Sequence, residues 1–445
     1  MRSTSSRRLM PAALAAAAAM VLGALPGLAS AQSLQELYDA ARAFDATYLA
    51  ARANADSAQY RVAQSDALAR PSAALSANAA VTRADPPKVA ADTSQSAGAS
   101  INGRYPLFNR ANGVTIEQSR KTLLSAQAEL DAAEQDLVVR LAQAYFDVLG
   151  AQDALGTART NKTAITEQLA SAKRNFEVGT TTITDTREVQ ARFDLATFQE
   201  LAAENDLGNK RIALDTLVGR AGVQPKPLLV PVVLPAPVPA NAEEWVTVAD
   251  QQHPSVRRAR VGLEVAQLET AKARAAEMPT VDAVASVGAS DSRGSRFGTA
   301  GTSNSASIGV QLNWPLYTGG ATQNRIKETL SLTEKSRNDL EAARRGVAQG
   351  TRVAYFGVQS GLAQVKALEA AESSSRLALE ATQLGYKVGV RVNLDVLNAQ
   401  TQLFSTQRDL AKARYDVLVG SLKLRQASGQ LSAADVETIS RLLAK

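Results

Sequence analysis

The 445-residue sequence has no cysteine, which excludes disulfides, thiolate metal sites and anchoring through a lipidated N-terminal cysteine. Any attachment to a membrane must therefore come from the fold. Histidine is almost as scarce. The single one, His253, sits in the turn-like segment Gln251-Gln252-His253-Pro254, where a capping or surface role outweighs that of ligand or general base. No grouping of His, Asp and Ser forms a catalytic constellation, so no catalytic residue, metal or other cofactor is expected. Beyond residue 31 no stretch approaches the ~20 apolar residues of a membrane-spanning helix, which leaves β-structure as the route into a bilayer.

The first residues carry Arg2, Arg7 and Arg8, then an apolar run from Ala12 to Leu28, then the small residues Ala29, Ser30 and Ala31. This is the pattern of a secretory signal peptide over 1–31, closer to the general export type than to a twin-arginine one. Its removal takes three arginines and lowers the formal net charge from +6 to +3. The remaining acids and bases are interspersed along helical stretches, as on a solvated coiled-coil face, which argues against a nucleic-acid partner.

Two halves repeat at an offset of about 210 residues. Ala144-Tyr145-Phe146 returns as Ala354-Tyr355-Phe356, Phe176-Glu177-Val178-Gly179 as Tyr386-Lys387-Val388-Gly389, Asp185 as Asp395 and Gly219 as Gly429. Upstream, Tyr105-Pro106-Leu107-Phe108 matches Trp314-Pro315-Leu316-Tyr317, and Arg70-Pro71-Ser72 matches Met278-Pro279-Thr280. The first repeat covers 32–219 and the second 242–445. Between them, 220–241 carries six prolines and reads as an extended strap lying against the body.

Each half contains two stretches that alternate with period two, at about 72–83 and 96–108, then about 281–290 and 305–317. In the clearest, Ala306, Ile308, Val310, Leu312 and Trp314 oppose Ser305, Ser307, Gly309, Gln311 and Asn313. The rest is helical, over 33–70, 110–178 and 185–219, then 254–278, 319–388 and 394–428. Seven-residue spacing at Ile116, Leu123, Leu130, Leu137 and Ala144 predicts a coiled coil, kept in the second half by Ile326, Leu340, Val347 and Ala354 with a break at Thr333. Each long helix is about twice the length of its partners, so each half predicts a strand hairpin on a leg that descends as one helix and returns as two.

Strands with an aliphatic face, a Ser/Asn/Gln/Gly face and an aromatic end fit a water-filled barrel wall better than a sandwich buried on one side. Four strands cannot close a barrel, and an open edge in lipid leaves backbone groups unpaired, so other copies of the chain must complete it. A soluble periplasmic coiled-coil scaffold and a catalytic outer-membrane protein are the competing readings; the alternating strands oppose the first and the missing chemistry the second.

Taken in order, the signal peptide, the repeat, the strand-ending Tyr-Pro-Leu-Phe and Trp-Pro-Leu-Tyr, the Ala-Tyr-Phe motifs and the Val-Gly turns ahead of Asp resemble the TolC-like outer-membrane efflux and secretion family along essentially the whole mature chain. The resemblance implies an α+β membrane protein: a homotrimer whose twelve strands form one transmembrane β-barrel, continued by a periplasmic α-helical coiled-coil tunnel. It implies passive conduction, with a periplasmic adaptor (membrane fusion) protein, an inner-membrane ABC or proton-driven transporter and outer-membrane lipid as partners.

It also implies sites. Tyr386 and Arg391 on one side and Thr184 and Asp185 on the other match the polar links that shut the family's tunnel, although Asp185 with Glu188 also fits a helix cap. Asp395 matches one of two constriction aspartates, while the second position holds Asn398, which predicts milder cation selectivity and less block by multivalent cations. Val178, Gly179 and Thr180, with Val388, Gly389 and Val390, match the adaptor-contacting tips. Tyr105, Phe108, Trp314 and Tyr317 are the membrane-interface aromatics.

Overall fold

The computed structural model describes residues 32–85, 87, 91–229, 232–294 and 300–444, so the expected signal peptide at 1–31 lies outside the described residues. In chain order the elements are α1 (Leu34–Phe44), α2 (Ala46–Asp66), β1 (Ser72–Ala84), β2 (Asp92–Phe108), α3 (Arg110–Glu177), α4 (Ile183–Val218), α5 (Ala242–Gln252), α6 (Pro254–Ala275), β3 (Thr280–Arg293), β4 (Gly301–Asn313), α7 (Ala321–Lys387), α8 (Asn393–Ala427) and α9 (Ala433–Ser440). The strands form one antiparallel sheet in the order β1-β2-β3-β4, so the two hairpins, one from each half, meet at the β2–β3 pair.

With 68 and 67 residues, α3 and α7 each run about 100 Å from the sheet to a distant turn, at ~1.5 Å per residue. α3 packs along α2 near the sheet and along α4 beyond it, and α7 likewise along α6 and then α8. The halves join where α6 and α8 lie against α3, so the order of helices beyond the midpoint is α4, α3, α8, α7.

The single helix expected over 33–70 is instead α1, α2 and a 3-10 turn at Ala67–Ala69. The break falls at Asp45, whose carboxylate accepts from the Tyr48 N–H (2.8 Å) as N-cap of α2 and takes a fork of bonds from Arg140 (3.0 and 3.1 Å). A capping carboxylate satisfied by a guanidinium outweighs one more turn of helix. His253 makes the corresponding break in the second half: it ends α5, its Nδ1 accepts from the Ser255 N–H (3.1 Å), and Pro254 opens α6. α5 and α9 fall outside the expected elements; Asn241 caps the first through the Glu243 N–H (3.0 Å), and a Ser432–Asp435 capping box opens the second.

The strands differ from expectation at their ends. β4 stops at Asn313 rather than 317 because Pro315 has no N–H for the ladder, whereas β2 passes Pro106 by shifting register between Pro106 and Phe108. Both hairpins reach further toward their loops, with β2 starting at Asp92 and β4 at Gly301.

The main core lies midway along the legs. There Leu141, Tyr145, Phe146 and Leu149 of α3 meet Leu37 and Tyr38 of α1, Leu214 of α4 and Leu418 and Leu422 of α8, all fully buried. Each such side chain contributes roughly 1.5–3 kcal/mol of burial. The proline-rich strap girdles this level. Lys226 donates its N–H to Gln32 O (3.2 Å) and Ala444 donates to Pro227 O (2.8 Å). The Tyr145 hydroxyl lies between the carbonyls of Gln32 (3.2 Å) and Lys226 (3.0 Å), and that of Tyr355 donates to Ala240 O (2.7 Å). The tyrosine of each repeated Ala-Tyr-Phe motif thus ties the strap to a long helix.

Candidate functional site

Alternation across the sheet puts aliphatic side chains on one face and hydroxyls and amides on the other. Leu75, Ile101, Val287 and Ala306 form one row through all four strands, and Ile308, Val310 and Leu312 extend that face along β4. Among the described residues nothing covers it: exposure runs from 56 % at Ile101 to 89 % at Ile308. On the opposite face the hydroxyls of Ser76 and Ser100 meet at 2.8 Å, Asn102 donates to Ser76 (3.3 Å), and Ser286 meets Ser307 at 2.8 Å. Nearer the helices Arg104 donates to the buried carboxylate of Asp282 (2.6 Å). Among the described residues no strand pairs with the outer edge of β1 or of β4. A sheet that is bare and aliphatic on one side, polar on the other and open at both edges is a piece of a wall that needs more strands. Tyr105, Phe108, Trp314 and Tyr317 are all exposed where the sheet gives way to the helices, and the Trp314 indole donates to Glu277 O (3.2 Å). Among the described residues no helix is long and apolar enough to cross a membrane.

The same turn closes both legs at the far end. After α3, Gly179 takes φ +79° and the Thr180 N–H donates to Asn175 O (2.8 Å); after α7, Gly389 takes φ +77° and the Val390 N–H donates to Gly385 O (2.9 Å). This left-handed close needs glycine and leaves Val178, Val388 and Val390 at the surface. Thr182, not Asp185, is the N-cap of α4, and Asp185 rather than Glu188 completes its capping box: the Asp185 N–H donates to Thr182 Oγ1 (3.2 Å) and Asp185 Oδ2 accepts from the Thr182 N–H (3.1 Å). Arg391 stands 3.5 Å from Asp395, one turn further along α8. Its stem lies over Gly385, where a Cβ would come within 2.8 Å of Arg391 Cγ. Tyr386 is half-buried, Thr184 is exposed, and neither side chain is hydrogen-bonded among the described residues. Within one chain, therefore, Asp185 serves its own helix and Arg391 serves Asp395.

A family model described as outer membrane efflux protein matches residues 37–220 and again 245–430, one match per repeat. The chain belongs to the outer membrane efflux protein family. It is 33 % identical over 436 residues to the outer membrane protein TolC of Vibrio cholerae, covering 98 % of each chain. It is also 33 % identical over 353 residues to the alkaline protease secretion protein AprF of Pseudomonas aeruginosa, covering 77 % of this chain and 71 % of that one. The fold matches the crystal structure of the outer membrane protein VceC of Vibrio cholerae with a TM-score of 0.75 at 19 % identity, over 89 % of this chain and 96 % of that one. Membership makes this an outer-membrane channel protein of the efflux and type I secretion kind, with its helical legs on the periplasmic side, and not an enzyme. Proteins of this family work as components of larger efflux and secretion systems.

Against that background, two contacts join the halves of the channel leg near its tip. Arg192 of α4 donates to Asn398 Oδ1 of α8 (3.2 Å), and Gln168 of α3 donates to Gln400 Oε1 of α8 (2.7 Å). Gln400 is fully buried beside the apolar cluster of Ile165, Leu169, Val189 and Leu397. Neither Arg192 nor Gln168 stands out in the sequence. Their partners lie more than 200 positions away, and no local spacing signals the pairing.

Proposed function

We propose that three copies of this chain assemble into one conduit, β1 of each copy pairing with β4 of the next. The observation that carries this is the sheet: two unpaired edges, an aliphatic face left bare and an opposite face of hydroxyls and amides. Two copies would supply about eight strands, whose interior is filled by side chains, whereas three supply about twelve and leave a lumen. The aliphatic face then meets lipid, with Tyr105, Phe108, Trp314 and Tyr317 at the interface on the periplasmic side. The legs continue the lumen as a helical tunnel of about 100 Å.

The tips carry the gate and the docking surface. Tyr386 and Arg391 of the α7–α8 coil link to Thr184 and Asp185 of the α3–α4 coil of a neighbouring copy, Arg391 and Asp185 exchanging the partners they have within one chain, and hold the tunnel narrow at Asp395 and Asn398. The hydroxyls of Tyr386 and Thr184, without a hydrogen bond among the described residues, are available for such links. Polar links of this kind are reversible, which suits a gate. Val178, Gly179 and Thr180, with Val388, Gly389 and Val390, contact a periplasmic adaptor, and an inner-membrane ABC or proton-driven transporter supplies cargo and energy. The channel itself conducts passively.

The test is single-channel conductance in planar bilayers, comparing wild type with Tyr386→Phe/Arg391→Ser. A small wild-type conductance that rises several-fold in the double variant supports pore and gate together. Large and equal conductances retain the pore and discard the gate; no channel from either protein discards both.

A further inference from the structure

We infer that a cleft between the main core and the tip of the leg is a binding site for a small, uncharged aromatic molecule carrying a hydroxyl group. The cleft has a volume of about 340 Å³ and lies between α3, α4 and α8, within the size range of small-molecule sites. It falls in a gap between two apolar clusters: the main core ends at Leu155 and Leu207, and the cluster near the tip begins at Ile165, Ala196 and Leu397. The gap exists because Ala158 of α3 and Ala202 of α4 are too small to fill the space between α4 and α8. Phe198 of α4, 65 % exposed, and the half-buried Phe404 of α8 line it from its two flanks and offer their rings to a flat apolar body. Asn161 of α3 lines it as well. That residue is only 9 % exposed, its Oδ1 is buried, and its side chain makes no hydrogen bond among the described residues. A buried acceptor left unpaired costs stability, and a ligand hydroxyl donating to Oδ1 removes the cost. Charge is not called for. Arg408, the one charged residue that lines the cleft, is held by Asp409 (2.9 Å), and Lys162 and Arg159 beside the cleft on α3 are held by Glu200 (2.8 and 3.3 Å). The ligand therefore needs one donor and no charge. Seated there, it touches α4 of one coil and α8 of the other across α3, and so braces the two coils. The inference is drawn from a single chain and does not depend on the proposed gate.

The experiment is a saturation-transfer NMR titration of the purified full-length protein in amphipol with 1-naphthol and with 1-methoxynaphthalene, which keeps the ring but has no donor. Wild type binds 1-naphthol saturably and the methoxy compound roughly tenfold more weakly, as expected for one lost hydrogen bond to a buried acceptor. Asn161→Leu abolishes that preference, so that the two compounds bind alike. Ala202→Trp, at an exposed position, fills the cleft and abolishes binding of both while the melting temperature stays at the wild-type value. Absence of saturable binding to wild type, as when a neighbouring copy or water alone fills the cleft, overturns the assignment. Undiminished binding to Ala202→Trp overturns it too, as does a preference for 1-naphthol that survives Asn161→Leu. Should Asn161→Leu fail to fold, Ala202→Trp decides alone. Failure of the bilayer experiment above leaves this inference standing, and failure of this one leaves the pore and the gate standing.

Discussion

The two long helices come from one repeated unit and are buried very differently. α3 buries side chains along most of its length, whereas α7 buries only Thr329, Leu340, Thr351, Tyr355, Val358 and Val365. The contrast is sharpest at the repeated motif. Phe146 and Phe356 each pack edge-on against the preceding tyrosine at 5.5 Å and 78°, yet Phe146 is 1 % exposed and Phe356 56 %. The cause is position: α3 lies between α4 and α8, and α7 ends the row. On the free side of α7 a seven-residue stripe of Phe356, Ala363, Ala370, Leu377 and Leu384 stays exposed. The sheet obeys the same rule, with β2 and β3 paired on both sides and β1 and β4 on one. A duplicated unit in a single chain has two ends, and in this protein both layers end on open surfaces, the ones the proposed assembly would cover with another copy.

The largest expected effect separates the two phenylalanines. Phe146→Ala opens a cavity in the main core and lowers folding stability by about 3–5 kcal/mol, read as a fall in thermal unfolding temperature in detergent. Phe356→Ala leaves the fold of the chain intact and instead reduces the fraction of trimer on a mild gel. Equal loss of folding stability from both would break the comparison.

The next effect concerns the two helix breaks, beginning with Asp45. Hydrogen bonds from Arg140 hold the buried Asp45 carboxyl below its usual pKa of 3.8. The pair therefore stabilises the fold fully above that value, and the contribution is lost as pH falls through the depressed pKa. Arg140→Met leaves the carboxylate buried and unpaired, costing roughly 3 kcal/mol at neutral pH, with the gap to wild type closing in acid. A gap that does not narrow below pH 3.8 would show that packing, not charge, is what Arg140 supplies.

The smallest effect belongs to His253, the counterpart of Asp45. Burial lowers its pKa from 6.5, so the neutral ring caps α6 and the contribution is complete above that pH and declines as pH falls through the lowered value. His253→Asn keeps a good cap, changes neutral stability by no more than about 1 kcal/mol and abolishes the decline. Urea melts at pH 5 and 7 would reveal whether the decline survives the substitution.

Much of this architecture was legible in the sequence because it depends on periodicity. Alternation gave the four strands, the seven-residue spacing gave the legs, and the repeated Val-Gly pairs gave the tips. What escaped depends on contacts between distant positions. Asp45 resembles any solvent-facing acid in an alanine-rich helix until Arg140, 95 residues away, is placed against it. The strap's hold on Tyr145 and Tyr355 is made through backbone carbonyls, which no side-chain pattern encodes. At the tip, Thr182 is the cap of α4 and Asp185 rather than Glu188 completes its box, and Asn398 could be read as a lost charge but not as the partner of Arg192. The unequal burial of the two halves was hidden for the same reason, since their motifs match while their neighbours differ.

The most direct test of the central claim, that both open ends of the chain are completed by further copies, is native mass spectrometry of the protein extracted from outer membranes in mild detergent. The account predicts a complex of three chains that falls apart when Leu377 and Leu384 on the exposed stripe of α7 are both changed to glutamate. A stable single chain, or an assembly indifferent to those two substitutions, would contradict it.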